Sequence, residues 1–148
     1  MAFRFRLQSV LDHRKHLEEK AQGEMATRLQ KQLACQRQLE WIAGEMTRNR
    51  QELARRGAQG ISAQEFALAG DYATTLRLHQ MRAGSQLELL KAETEIARQK
   101  LLEATRDRKA MDILRERHLQ DYLAEERRQE RIAMDEAAVR GFLGKADR

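Results

Sequence analysis

The segment from Gly57 to Phe66 is the one place where this proline-free chain of 148 residues carries a complete helix boundary. Glycine readily adopts the positive φ values at which helices end, and the segment holds both Gly57 and Gly60. Ser62 is followed three residues later by Glu65, which predicts a capping box at the start of a new helix. The sequence therefore predicts two long helices joined by a short turn.

The bounds of these elements follow from the same signals. We predict helix one at about 4–56, a turn at about 57–62, helix two at about 63–140 and a frayed tail at about 141–148. The chain is 34% charged and only 5% aromatic, so it has few large side chains with which to fill a globular core. We therefore expect residues 1–148 to form a single coiled-coil unit.

A seven-residue repeat of apolar side chains runs through the second predicted helix. Its members are Ala69, Leu76, Ala83, Leu90, Ala97, Ala104 and Met111, with Ala73, Leu87 and Leu101 in a companion row. This spacing is that of the a and d positions of a coiled coil. Polar residues at the remaining companion positions, which cost stability but can determine register, are Gln80, Thr94 and Arg108. The predicted fold is all-α, a long antiparallel two-helix coiled-coil hairpin.

The position of the turn also predicts the register of the two helices. With the turn centred between Gln59 and Gly60, facing residues have numbers that sum to about 119, so Leu7 faces Asp112. By this rule the second helix has no partner beyond roughly Glu116, where its heptad positions also become mostly polar. We therefore expect a C-terminal overhang of ~20 to 25 residues, roughly 30–40 Å of unpartnered helix.

No constellation of residues predicts catalysis. The sequence contains no Gly-rich phosphate loop, no Cys or His cluster with metal-ligand spacing, and no nucleophile beside a base. His13 and His16 fall on one predicted helix face, but no further ligands accompany them, so we interpret them as solvated. We expect no enzymatic activity, no cofactor and no small-molecule ligand.

Charge and cysteine content restrict the partners and the compartment. Residues 1–58 contain 12 basic and 7 acidic side chains, which favours an acidic partner surface on a protein, a nucleic acid or an anionic lipid. Nucleic acid is disfavoured because the charge is mixed and base-stacking aromatics are missing. A single cysteine, Cys35, fits a reducing compartment, and no apolar run approaches the ~20 residues of a membrane span. We expect a cytosolic protein.

The N-terminal stretch Phe3-Arg4-Phe5-Arg6-Leu7 alternates aromatic and basic side chains. Such a pattern can insert into an anionic lipid surface or into a hydrophobic groove of a partner protein. The alternative is that the phenylalanines pack at the end of the hairpin itself. Of the two partners, a protein is favoured because the apolar stretch is short.

Four motifs occur in a defined order over nearly the whole chain. They are the opening Phe5-Arg6-Leu7-Gln8 followed by Val10-Leu11, the break Gly60-Ile61-Ser62, the stretch from Leu102 to Leu114 with its Arg108-Lys109 pair, and Met134-Asp135-Glu136. In order, spacing and total length they resemble the FliJ family, the small coiled-coil proteins of flagellar type III export. The resemblance implies a non-enzymatic export component shaped like the central stalk of a rotary ATPase.

The resemblance also implies partners and a location. The partners are the hexameric export ATPase FliI, whose assembly and activity the family promotes, the export gate protein FlhA, and export chaperones that are free of cargo. The location is cytoplasmic and peripheral at the cell membrane, through the export apparatus. Two alternatives stay open, the equivalent stalk of a virulence type III secretion system and a generic coiled-coil scaffold without an ATPase partner.

Three contact surfaces follow from the same resemblance. The export-gate contact is expected midway along the hairpin, at Gln38, Ile42, Tyr72 and Leu76. The chaperone contact is expected late in helix two, at Arg106, Arg108, Lys109, Arg115, Arg117, Asp135 and Glu136. The ATPase contact is expected at the free ends, at Phe3, Arg4, Phe5, Arg6, Ile132 and the residues after Ile132.

Overall fold

Two long helices make up the fold, and the computed structural model describes residues 2–146. Helix α1 comprises Gln8–Gln59 and helix α2 comprises Ala63–Ala146. The helices pack against each other as a hairpin, and the described residues contain no strand. The predicted all-α two-helix hairpin is confirmed.

The turn between the helices consists of Gly60, Ile61 and Ser62. Gly60 has a φ of +90°, in the left-handed region where a side chain would be strained, and this residue ends α1. The backbone N–H of Glu65 donates to Ser62 Oγ at 3.1 Å, while the Ser62 N–H donates to Glu65 Oε2 at 3.3 Å. This reciprocal pair is the predicted capping box. The predicted turn over 57–62 is too long, because α1 continues helically through Gly57 to Gln59.

The outer ends of both helices also differ from the prediction. Helix α1 begins at Gln8 rather than at about residue 4, after a tight turn in which the Gln8 N–H donates to the Phe5 carbonyl at 3.2 Å. Helix α2 continues to Ala146, so the frayed tail predicted from residue 141 is wrong for 141–146. Glycines in this stretch cost about 1 kcal/mol each relative to alanine without breaking a helix. The rest of that predicted tail, 147–148, lies outside the described residues.

Tertiary contacts group the chain into two units, of which one is Glu19–Leu102. Its core cluster consists of Ile42, Leu76 and Ala83, with Leu39 and Met46 packed against it. Ile42 and Leu76 are 1% and 3% exposed, and their numbers sum to 118, close to the predicted register. The antiparallel register predicted from the turn is therefore confirmed in this unit.

Polar heptad positions in this unit have two different environments. Thr94 is buried as its heptad position predicts, and its hydroxyl donates to the Leu90 carbonyl at 2.8 Å, so that no polar atom is left unpaired. Gln80 is exposed, so its assignment to the helix interface is wrong. A long amide side chain can reach water from the edge of a narrow interface, which avoids the cost of burial.

The other unit comprises the described residues up to Glu18 together with those from Glu103 onward. Leu11 and Phe5 are buried in it, and the Phe5 ring lies 5.6 Å from the ring of His118. Phe3 packs against Tyr122, also with ring centroids 5.6 Å apart. A non-helical chain rises up to about 3.3 Å per residue against 1.5 Å in a helix, so the two residues from Phe5 to Phe3 can span four residues of α2.

This packing corrects the predicted start of the C-terminal overhang. The partnered part of α2 reaches Tyr122 rather than ending near Glu116, because the N-terminal residues continue along α2 after α1 has ended. From residue 127 to residue 146 every side chain is exposed. The C-terminal overhang is therefore residues 127–146, about 30 Å of helix at 1.5 Å per residue. The organisation of 1–148 as a single coiled-coil unit stays a prediction.

Candidate partner-binding surfaces

The four residues predicted to contact the export gate lie in two different environments. Ile42 and Leu76 pack between the helices in the core cluster, and their side chains are closed to a partner. Gln38 and Tyr72 are exposed. The assignment of Ile42 and Leu76 to a contact surface is thereby corrected, since the hairpin itself buries them. Only Gln38 and Tyr72 of the four offer a side chain to a partner.

Tyr72 is held on the surface by a polar network with α1. Its hydroxyl donates to Glu45 Oε2 at 2.7 Å, and Arg48 Nε donates to Glu45 Oε1, also at 2.7 Å. The hydrogen bond from Tyr72, followed by that from Arg48, lowers the pKa of Glu45, because both favour the ionised carboxylate. The same bond raises the pKa of Tyr72, because the carboxylate favours the protonated phenol. The network orients an aromatic ring whose other side is open to solvent.

Replacing Tyr72 by phenylalanine is expected to give a pH-dependent loss of stability. Folding lowers the pKa of Glu45, so its stabilising contribution is complete above 4.5 and is lost as the pH falls through the folded value. Folding raises the pKa of Tyr72, so its contribution is complete below 10.0 and is lost as the pH rises through the folded value. Thermal melts of Y72F and the wild type should differ most between these limits and converge outside them.

The matched control for this prediction is the same substitution in a Glu45→Gln background. Without the carboxylate, Tyr72 has no ionised acceptor. The effect of Y72F on the melting temperature should therefore no longer decrease at acidic pH. A difference between Y72F and the wild type that is constant across the whole pH range would contradict the assigned hydrogen bond.

Arg108, predicted to contact chaperones, is bound to partners within its own unit. Its guanidinium pairs with Glu18, and its Nη1 donates to Asp112 Oδ2 at 2.6 Å. Thr105 Oγ1 donates to the other carboxylate oxygen of Glu18 at 3.3 Å, and Glu18 is buried. The bonds to Glu18 and Asp112 raise the pKa of Arg108. Arg108 therefore contacts α1 and its own helix rather than presenting a free charge to a chaperone.

The remaining residues of the predicted chaperone surface are exposed. They are Arg106, Lys109, Arg115, Arg117, Asp135 and Glu136. Glu136 accepts a hydrogen bond from Arg140 at 3.3 Å, one turn further along the overhang. Within the described residues, no hydrogen bond or ion pair joins these six side chains to one another.

The N-terminal residues predicted to contact the ATPase divide by residue type. Phe5 is buried and Phe3 half-buried, both against α2, whereas Arg4 and Arg6 are exposed. The phenylalanines therefore pack within the hairpin, which is the alternative left open from the sequence. His118 and Tyr122, their partners, were not assigned a role from the sequence. Their ring side chains at heptad positions of α2 were the sequence signal that could have identified them as packing partners.

The C-terminal overhang carries an apolar row that the sequence prediction did not include. Ile132 and Val139 follow Met111 at multiples of seven residues, and Leu143 continues the companion row. All three are exposed, and Ile132 and Val139 line one shallow groove of about 380 Å³. The sequence prediction took the heptad positions beyond roughly Glu116 as mostly polar, although the seven-residue spacing from Ile132 could have revealed Val139. The a and d positions of α2 thus become apolar again where none of the described residues of α1 covers them.

A family model described as "Flagellar FliJ protein" matches residues 3–147. The chain belongs to the FliJ family. The resemblance inferred from the four motifs is confirmed, and membership associates the protein with the flagellar protein export apparatus, of which FliJ proteins are non-catalytic components. No curated protein and no solved structure matches the chain.

Two kinds of feature are absent from residues 2–146, the part of the chain that the structure describes. Neither helix contains a stretch that is both long enough and apolar enough to cross a membrane. No three side chains from His, Cys, Asp and Glu are grouped so that they could hold a metal ion.

Proposed function

We propose that this protein is a stalk-like activator and assembly factor of the hexameric export ATPase FliI, which also contacts the export gate protein FlhA and escorts cargo-free chaperones. It would work in the cytoplasm, at the membrane face that carries the export apparatus. Membership of the FliJ family supports a flagellar role over a virulence secretion system or a scaffold without an ATPase partner. The observation that carries the proposal is the exposed apolar row of the C-terminal overhang.

The overhang has the composition of a helix that docks into a groove. Ile132, Val139 and Leu143 share one face and lie exposed, with charged residues such as Asp135 and Arg140 beside them. Full burial of an aliphatic side chain of this size contributes about 1.5–3 kcal/mol. An amphipathic helix recognised in this way uses anchors at i, i+3, i+4 and i+7. A ring interior or a chaperone helix that supplies facing apolar residues would therefore bind it.

The exposed members of the predicted contact sets complete the proposal. We assign gate contact to Gln38 and Tyr72, and ATPase contact to Arg4, Arg6 and Ile132. Chaperone contact is assigned to the exposed residues of that set, namely Arg106, Lys109, Arg115, Arg117, Asp135 and Glu136. The buried residues Phe5, Ile42 and Leu76 act indirectly, by holding the helices that carry these side chains.

Stimulation of the export ATPase of the same organism tests the proposal. We expect the wild-type protein to stimulate ATP hydrolysis and ring assembly, and the variant I132E/V139E/L143E to need at least a tenfold higher concentration for the same effect. Losing about 1.4 kcal/mol of apolar contact corresponds to that factor. Met134→Glu is the matched control, because Met134 is exposed on the same overhang but off the apolar row.

Two outcomes would contradict this assignment. One is a triple variant that stimulates as well as the wild type while circular dichroism shows equal helix content. The other is a wild-type protein that leaves an active ATPase unchanged at every ratio, which would favour a scaffold without an ATPase partner.

A further inference from the structure

Helix α2 carries a second apolar row on the side opposite α1. The row, here called the outer stripe, consists of Leu78, Met81, Ser85, Leu89, Ala92 and Ile96. Its large members Leu78, Met81, Leu89 and Ile96 are 41%, 70%, 62% and 58% exposed. The buried residues of the same segment of α2, such as Ala83 and Leu90, face α1 at the intervening heptad positions. The outer stripe therefore has no partner among the described residues.

We propose that the outer stripe is the interface of a homodimer in which the α2 helices of two copies pack antiparallel. The two-fold axis lies near position 87, so that facing residues have numbers that sum to about 174. Leu78 then faces Ile96 of the second copy. Both pairs nearer the axis combine a large with a small side chain, since Met81 faces Ala92 and Ser85 faces Leu89. This alternation lets the two surfaces interdigitate without a void.

Charge complementarity selects the same arrangement. Arg82 adjoins the outer stripe, and it forms no ion pair within the part of the chain that the structure describes. In the antiparallel dimer it lies opposite Ala92 of the second copy, whose neighbours at i−4 and i+3 are Glu88 and Glu95. These carboxylates hold their own cations only loosely, with N···O distances of 3.5 Å to Lys91 and 3.8 Å to Arg98. Because the dimer has two-fold symmetry, this contact between Arg82 and the two carboxylates occurs twice.

A parallel pairing of two copies lacks these features. In register it would place Arg82 against Arg82 and Ser85 against Ser85, which brings like charges together and leaves a gap between small side chains. The stripe is also short, since its residues span about 27 Å of helix at 1.5 Å per residue. A single helix pair of that length falls in the size class of weak interfaces, below about 1,200 Å². The dimer should therefore be reversible and depend on concentration.

Sedimentation of the full chain from about 1 to 200 µM tests the dimer, because weak association appears in the micromolar range. The average mass should rise from the monomer value of 17.2 kDa towards twice that value. M81E/L89E should weaken the association at least tenfold. Ile113→Glu, at an exposed position on α2 outside the stripe, is the matched control and should leave it unchanged. A wild-type protein that stays monomeric throughout, or a control that weakens association equally, would overturn the proposal.

Cysteine cross-linking tests the orientation, in a Cys35→Ser background. An equal mixture of S85C and L89C chains should form disulfide-linked heterodimers under mild oxidation, at several times the yield of S85C alone. Predominant linkage of S85C to itself would show a parallel pair, and would overturn the antiparallel arrangement. Dimers in sedimentation that none of these cysteines can link would place the interface on another face.

Discussion

Replacing Ile42 by alanine is expected to lower the free energy of unfolding by about 2–5 kcal/mol, as for other fully buried aliphatic side chains. Ile42 is 1% exposed and packs against Leu76 and Ala83 across the two helices. The narrow interface offers few neighbours that could move to fill the space. Urea denaturation followed by far-UV circular dichroism measures the change.

Trp41 provides the matched control for this substitution. It is the neighbouring residue on α1 and larger than Ile42, but it is 58% exposed. Trp41→Ala should therefore cost clearly less, on the order of 1 kcal/mol or below. Equal losses for the two variants would contradict the packing described for Ile42. An I42A protein of unchanged stability that no longer binds the export gate would restore Ile42 to the contact surface.

Proline at position 97 is expected to destabilise the hairpin by about 3 kcal/mol or more. Ala97 is buried in α2, and proline there removes the N–H donor and places its ring against the carbonyl of Glu93. Glu93 also forms an ion pair with Arg28 of α1, in which Arg28 Nη1 lies 2.8 Å from Glu93 Oε2. A kink at this point therefore disturbs a contact between the helices. Helix content and melting temperature by circular dichroism should both fall.

The control for the proline effect is Ala63→Pro, at the first residue of the same helix. Proline is tolerated at this position because the N–H of the first helical residue has no helical partner, and Ser62 before it is the N-cap of the helix. Its stability should change by less than about 1 kcal/mol. An A97P protein that melts like the wild type would contradict the two-helix structure.

Several features were predictable from sequence because they depend on neighbouring residues. The capping box needs only Ser62 and Glu65, and the left-handed turn needs only Gly60. The register near Ile42 and Leu76 then follows, since two helices that leave one turn advance by the same rise per residue. Family membership was predictable for a different reason, because it rests on the order of motifs along the chain.

The contact surfaces were predicted less well, because exposure is a property of the packed hairpin. Ile42 and Leu76 were assigned to the gate surface by resemblance, and the structure buries both. Phe3 and Phe5 could bind a partner or pack internally, and residue type alone does not decide between the two. The resumed apolar row at Val139 was missed because the preceding heptad positions, Glu125 and Gln129, are polar, so the repeat was taken to decay beyond Glu116.

The sequence by itself determined two helices, the position of their turn and the heptad spacing that joins them, because these follow from backbone conformation and side-chain periodicity over a few residues. Only the tertiary structure decided which apolar residues are buried between the helices and which stay exposed. The residues before Gln8 are not helical, and Phe3 and Phe5 among them pack on α2. As a result the overhang begins at residue 127. That choice depends on burying two aromatic rings against residues more than a hundred positions away, which no local pattern encodes.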